Sequence, residues 1–212
     1  MQYHRFLKKL RCLSVAVIVL CTASGFAADW AQFQGPNRNG TSPETGISRD
    51  WPEGGPKTLW SMPLGEGFAG PAIRDGEVYI IDRVDSTQDI LRCISLATGE
   101  ELWQYAYDAL GEASFNGSRS APTVTEKYVY TVGLMGHFHC IDRETHKPVW
   151  SKNLFEDFEH EELPSWGFSQ SPSLYKDLVV VAPQGKDHSV VAYRQDTGEI
   201  AWASPPLGDV GY

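Results

Sequence analysis

Few residues in this chain have the type and spacing to do chemistry. His137 and His139 alternate on a run that reads as one strand, so they share a face, as two metal ligands would. No third ligand follows from the spacing, and the plainer reading is a pair of surface or interface histidines. The acidic run from Glu156 to Glu162 lacks the regular oxygen spacing and internal glycine of a calcium loop, and reads as solvated loop. Gly65-Glu66-Gly67-Phe68-Ala69-Gly70 matches G-x-G-x-x-G, but Pro71 and a strand follow where a dinucleotide fingerprint requires a helix. Arg119 could grip an anion and Trp166 could stack on a planar group. The alternative for this pair is structural, with Arg119 bonded to loop carbonyls and Trp166 filling a junction between repeats. Asn116 and Gln170 lie in the same two segments and complete the set of candidate binding residues. No catalytic constellation and no metal-binding set emerges from the sequence.

The elements that must position these residues are repeated. Cys93 to Trp103, Cys140 to Trp150 and Ala192 to Trp202 align without gaps as three eleven-residue segments. Each is preceded by a proline, at Pro71, Pro122 and Pro172, giving a period near 50 residues. Such a period, filled with short runs rich in β-branched and aromatic residues, means four-stranded propeller blades. In the second repeat the strands fall at Ala121–Val124, Tyr128–Val132, His137–Ile141 and from Val149 to Ser151. No useful window has a clean helical period, so helix should be scarce. Thr98-Gly99 and Thr197-Gly198 place glycine where a bulged hairpin loop needs positive φ, and in the second repeat, after Thr145, that position falls to His146. The tryptophans that follow, Trp103, Trp150 and Trp202, are expected to supply a large buried surface and an N–H able to tie one blade to the next. Cys93, Cys140 and Ala192 share one position, which marks a small buried slot rather than a redox pair.

The pattern A-x-D-x-x-T-G-x-x-x-W resembles the blade signature of pyrroloquinoline-quinone-repeat (PQQ-like) β-propellers, over roughly Leu59 to Trp202. The aspartate position departs from it, holding Ser95, Asp142 and Arg194. The lead-in from Asp29 to Gly40 (DWAQFQGPNRNG) is similar to the start of exported bacterial propellers of this group. The resemblance implies an all-β fold of four-stranded antiparallel blades, related in architecture to WD40-like repeats. It covers both quinoprotein dehydrogenases and the propeller lipoprotein of outer-membrane assembly. Leu59-Trp60-Ser61-Met62 reads as an orphan fourth strand. About three blades and one such strand, against the seven or eight usual in this family, are expected to be part of a larger ring.

The N-terminus reads as an export signal. Arg5, Lys8, Lys9 and Arg11 precede the apolar run CLSVAVIVL, and Gly25-Phe26-Ala27 offers small residues at −3 and −1. The run is about half the ~20 residues of a membrane-spanning helix, so cleavage is expected after Ala27, with no membrane insertion afterwards. The expected organisation is then signal 1–27, lead-in 28–58 and propeller repeats 59–212, in a periplasmic or secreted protein. Loss of the signal's four cations turns the formal charge of −9 into −13, with 14 Lys and Arg against 27 Asp and Glu. That surface repels nucleic acid and anionic lipid.

Function is expected to be binding or scaffolding, with other exported or envelope proteins as partners. The alternative is part of a quinoprotein dehydrogenase, for which the resemblance implies PQQ, Ca²⁺, an adjacent Cys-Cys pair and an Asp base. No two cysteines are adjacent in this chain. Asn116 is the only residue that could be carried over, loosely, to the Ca²⁺ site.

Overall fold

The computed structural model describes residues 28–208; the expected signal lies outside them. Twelve strands form three four-stranded antiparallel sheets in which chain neighbours pair. The first blade comprises β1 (Ala72–Arg74), β2 (Glu77–Val84), β3 (Gln88–Ser95) and β4 (Glu101–Asp108). The second contains β5 (Thr123–Val124), β6 (Tyr128–Val132), β7 (His137–Asp142) and β8 (Pro148–Asn153), and the third β9 (Ser173–Tyr175), β10 (Leu178–Val181), β11 (Val191–Arg194) and β12 (Ile200–Ala203). Helix is limited, among the described residues, to the single turn α1 (Leu154–Asp157), capped by the Asn153 side chain. The expected blade strands are present, with ends shifted by a residue or two. Leu59-Trp60-Ser61-Met62, expected as an orphan fourth strand, forms no strand because it makes no ladder bonds among the described residues. The glycine-rich run at 65–70 forms a loop in which Glu66 bridges to Arg83 and Gly67 to Ser118.

Local chemistry accounts for the repeated motif. The register slips at Cys93/Ile94, Cys140/Ile141 and Ala192/Tyr193, a β-bulge at the same place in every blade. A bulge adds one residue and bends the outer hairpin, and the turn beyond it needs positive φ. Gly99, His146 and Gly198 supply it, at 76°, 58° and 68°. Cys93, Cys140 and Ala192 face Trp103, Trp150 and Trp202 across the ladder and are themselves fully buried. Both thiols are free, and burial pushes each up to about 12.

The tryptophans join blades. Trp150 covers Gly198 of the next blade, and its Nε1–H donates to the Gln195 carbonyl at 3.0 Å. Trp103 stacks on the His146 ring, 4.6 Å between centroids. Trp60, which has no ladder partner among the described residues, lies over Gly99 and donates to the Leu96 carbonyl at 2.8 Å. It therefore takes the place of a fourth-strand tryptophan against the first blade. The core lies between blades. Tyr79, Leu91 and Cys93 pack on Val124, Val129 and Ile141 at one junction, and Phe138 and Trp150 on Val179, Val181 and Tyr193 at the other.

Candidate functional site

The loops that precede the three leading prolines gather at one end of the blades. Phe68 N–H donates to the Ser118 carbonyl at 2.7 Å, which pins the first loop to the second. A Cβ on Gly117 would lie 2.7 Å from the Gly67 nitrogen, so only glycine permits that approach. On this support stands an aromatic cluster around one cation. The Arg119 guanidinium lies 4.8 Å from the Phe68 ring centre, 5.3 Å from Trp166 and 5.8 Å from Phe115. Phe115 and Trp166 are stacked at 5.4 Å, and Phe68 meets Phe115 edge-on. Arg119 also donates to the Phe115 carbonyl at 2.8 Å, and its Nε is buried with no hydrogen-bond partner among the described residues. The rings stay wet on one side: Phe68 is 57% exposed, Phe115 53% and Trp166 38%. The arginine thus bonds a loop carbonyl, while the rings that hold it face solvent.

Trp166 also borders a cleft of about 630 Å³ between the second and third blades. Its walls include Val132, Leu154, Phe168 and Val181, with Gln170 at the rim. Gln170 Oε1 accepts the Ala182 N–H, so this side chain braces the third blade's loop. From the acidic run, His160 and Glu162 reach the cleft, and His160 Nε2 bonds the Pro183 carbonyl at 2.9 Å.

Asn116 has a different setting. Its Oδ1 accepts from Arg83 Nε at 3.1 Å and its Nδ2 donates to Ser86 Oγ at 2.8 Å. Arg83, 1% exposed, pairs with the fully buried Asp89 at 2.8 Å and donates to the Ala109 and Gly111 carbonyls, each at 2.6 Å. Sequence reasoning missed this buried pair. Its signal was an Arg83 and an Asp89 placed opposite each other across the β2–β3 ladder.

His137 and His139 sit at the same junction, against Tyr105 and Tyr107 of β4; Tyr107 lies 4.2 Å from the His139 ring and 5.5 Å from that of His137. His139 Nδ1 shares a hydrogen bond with Ser151 Oγ at 2.7 Å, while its Nε2 and the opposing Thr131 Oγ1 have no partner among the described residues. Burial pushes His139 down to about 4 and lowers His137 as well. These are interface histidines. Among the described residues, no three His, Cys, Asp or Glu side chains come together as metal ligands.

The residues present do not fit a quinone and its calcium. Asn116 Oδ1, the one oxygen with a claim on Ca²⁺, already faces the Arg83 guanidinium, which would repel a divalent ion. One face of the Trp166 ring is taken up by its stack on Phe115.

Comparison with known proteins agrees with the blade geometry. The family model described as outer membrane protein assembly factor BamB matches residues 86–208. Quinohemoprotein alcohol dehydrogenase of Comamonas testosteroni is 25% identical over 142 residues, which is 63% of this chain and 19% of that enzyme. A europium-containing methanol dehydrogenase structure superimposes with a TM-score of 0.53 at 19% identity, covering 72% of this chain and 27% of the other, a likeness of fold alone. BamB from Moraxella catarrhalis gives a TM-score of 0.48 at 21% identity over 69% of this chain and 38% of that one. The chain spans less than half the length of each of these relatives. With more than half of its residues matched by the family model, the chain belongs to the PQQ-repeat β-propeller family of the outer membrane protein assembly factor BamB.

Proposed function

We propose that this chain is an exported propeller that acts by binding, and that the loop end of its blades is the docking face for another envelope protein. The observation that carries the reading is the half-exposed cluster of Phe68, Phe115 and Trp166 around Arg119. Aromatic residues and arginine are the side chains most enriched at the centres of protein interfaces. Here they are already ordered by stacking and by the Arg119–Phe115 bond, so little conformational entropy would be lost on docking. The acidic surface disfavours nucleic acid as the ligand. Export rests on the N-terminal signal, and the mature protein should begin at Ala28 by intact mass.

A photo-crosslinking residue in place of Phe115 tests the docking face in cells. One discrete adduct, lost when Arg119→Ala is added, is the expected result. The rival reading, part of a quinoprotein dehydrogenase, draws on the 25% identity to the alcohol dehydrogenase. It predicts no adduct, together with dye-linked alcohol oxidation after reconstitution with PQQ and Ca²⁺ that chelation abolishes. That pair of results would replace the binding reading.

A further inference from the structure

The lead-in does more than connect. The first strands of the blades, β1, β5 and β9, each use one edge for the hairpin with the next strand, leaving the other edge without a strand of its own sheet. Unpaired edges are costly when buried and adhesive when exposed. Residues 29–38 meet all three. Trp30 exchanges two backbone hydrogen bonds with Ile73 of β1, at 2.9 and 3.0 Å. The Ala31 carbonyl accepts the Val124 N–H of β5 at 2.7 Å, and Arg38 donates through its guanidinium to the Leu174 carbonyl of β9. Asp29 accepts from the Asp75 N–H in the β1–β2 turn at 3.0 Å, so these contacts lie toward the turn ends of the first strands, away from the Arg119 cluster.

The segment has a shape of its own. The Trp30 ring covers Gly35, which has φ of 76°, and a Cβ there would come within 2.7 Å of the ring. Gln32 Nε2 donates to the Gly35 carbonyl at 3.1 Å, and its Oε1 accepts from Arg38 Nε at 3.2 Å. Gly35 N–H returns to the Gln32 carbonyl and Gly40 N–H to that of Gln34, each at 3.0 Å. One folded loop therefore presents its start to the first two blades and its Arg38 to the third.

We propose that residues 29–38 form a strap that couples the three blades, so that loosening its anchor on one blade loosens its hold on the others. The amides of Ile73 and Val124 report on it directly, because strap carbonyls accept both. Hydrogen exchange of the full chain should show both amides exchanging at least about tenfold faster in Gly35→Ala, with the β6–β7 ladder still protected. Arg38→Ala removes only the anchor on the third blade and the bond to Gln32. It should still raise exchange at Ile73 and Val124 by about threefold or more, since local opening spreads through a cooperative unit. Arg38→Ala decides the matter alone if Gly35→Ala does not fold. Wild-type exchange at Ile73 and Val124 in Arg38→Ala would overturn the proposal, as would a rise confined to β9 and β10.

Discussion

Acidification should loosen the junction between the first two blades, and His139 sets the pH at which it does so. The ring is 6% exposed, packed on Tyr105 and Tyr107, and its Nε2 has no partner among the described residues. Charging it there would strip a cation of water and leave its Nε2–H without an acceptor among the described residues, and burial lowers it from the ordinary 6.5 to about 4, with His137 a smaller contributor in the same direction. A base whose folded pKa is depressed contributes stability that is full above the unfolded value and is lost as pH falls toward the folded one. The window is therefore pH 6.5 down to 4. Linkage places the loss between pH 8 and pH 5 at about 2 kcal/mol, approaching about 3 kcal/mol at lower pH. For a domain of this size that is a fall in Tm of about 4–8 °C at pH 5. Other groups face the same junction: Asp89, Arg83, His137, Tyr105 and Tyr107. Burial pushes the Asp89 carboxyl up, which acts in the opposite sense, gaining stability as pH falls. The measurement is therefore a difference, with urea or thermal unfolding of the wild type and of His139→Gln at pH 8 and pH 5. The variant should be less stable than the wild type at pH 8, having lost its ring contacts, yet its decline between the two pH values should be smaller by about 2 kcal/mol. Equal declines in the two proteins would refute the argument.

Three further outcomes are expected. Cys93→Ala and Cys140→Ala should each cost on the order of 1 kcal/mol in urea unfolding, because Ala192 fills the same slot in the third blade; a Cys93–Cys140 disulfide in a non-reducing peptide map would contradict that reading. Arg83→Ala should destabilise by about 3–5 kcal/mol, since it leaves Asp89 buried without its cation, and a loss under about 1 kcal/mol would mean the pair opens readily to water. Gly198→Ala should cost about 2 kcal/mol or more, because a Cβ there meets the Trp150 ring at 2.7 Å on a backbone with φ of 68°, and Trp150 fluorescence should shift with it.

The three-blade pattern, the positive-φ turn positions and the small slot shared by Cys93, Cys140 and Ala192 were all legible from sequence. Each is settled over a few residues, by strand alternation, by the backbone freedom of glycine or by the volume beside a bulge, and each recurs at a period near 50, which separates signal from chance. The role of Trp60 was partly legible for the same reason, since its neighbours resemble a fourth strand. Of the three motif tryptophans, Trp150 makes the expected inter-blade N–H bond, and Trp60 outside the motif makes another; Trp202, expected to be buried, is 45% exposed.

Other features were decided only by how the blades pack. Asn116 and Arg119 are three residues apart in one loop, yet Asn116 turns to the buried Arg83–Asp89 pair and Arg119 to rings contributed by residues 68, 115 and 166. His137 and His139 share a strand face with no third ligand in sequence, and the tyrosines that bury them come from the fourth strand of another blade. The lead-in motif was recognisable as a pattern, but the free strand edges that it covers exist only once three sheets stand side by side. Periodicity specifies which residues enter a blade and on which face. The angle between blades and the path of the loops decide which distant side chains meet, and those depend on the summed packing of both faces rather than on any local run of residues.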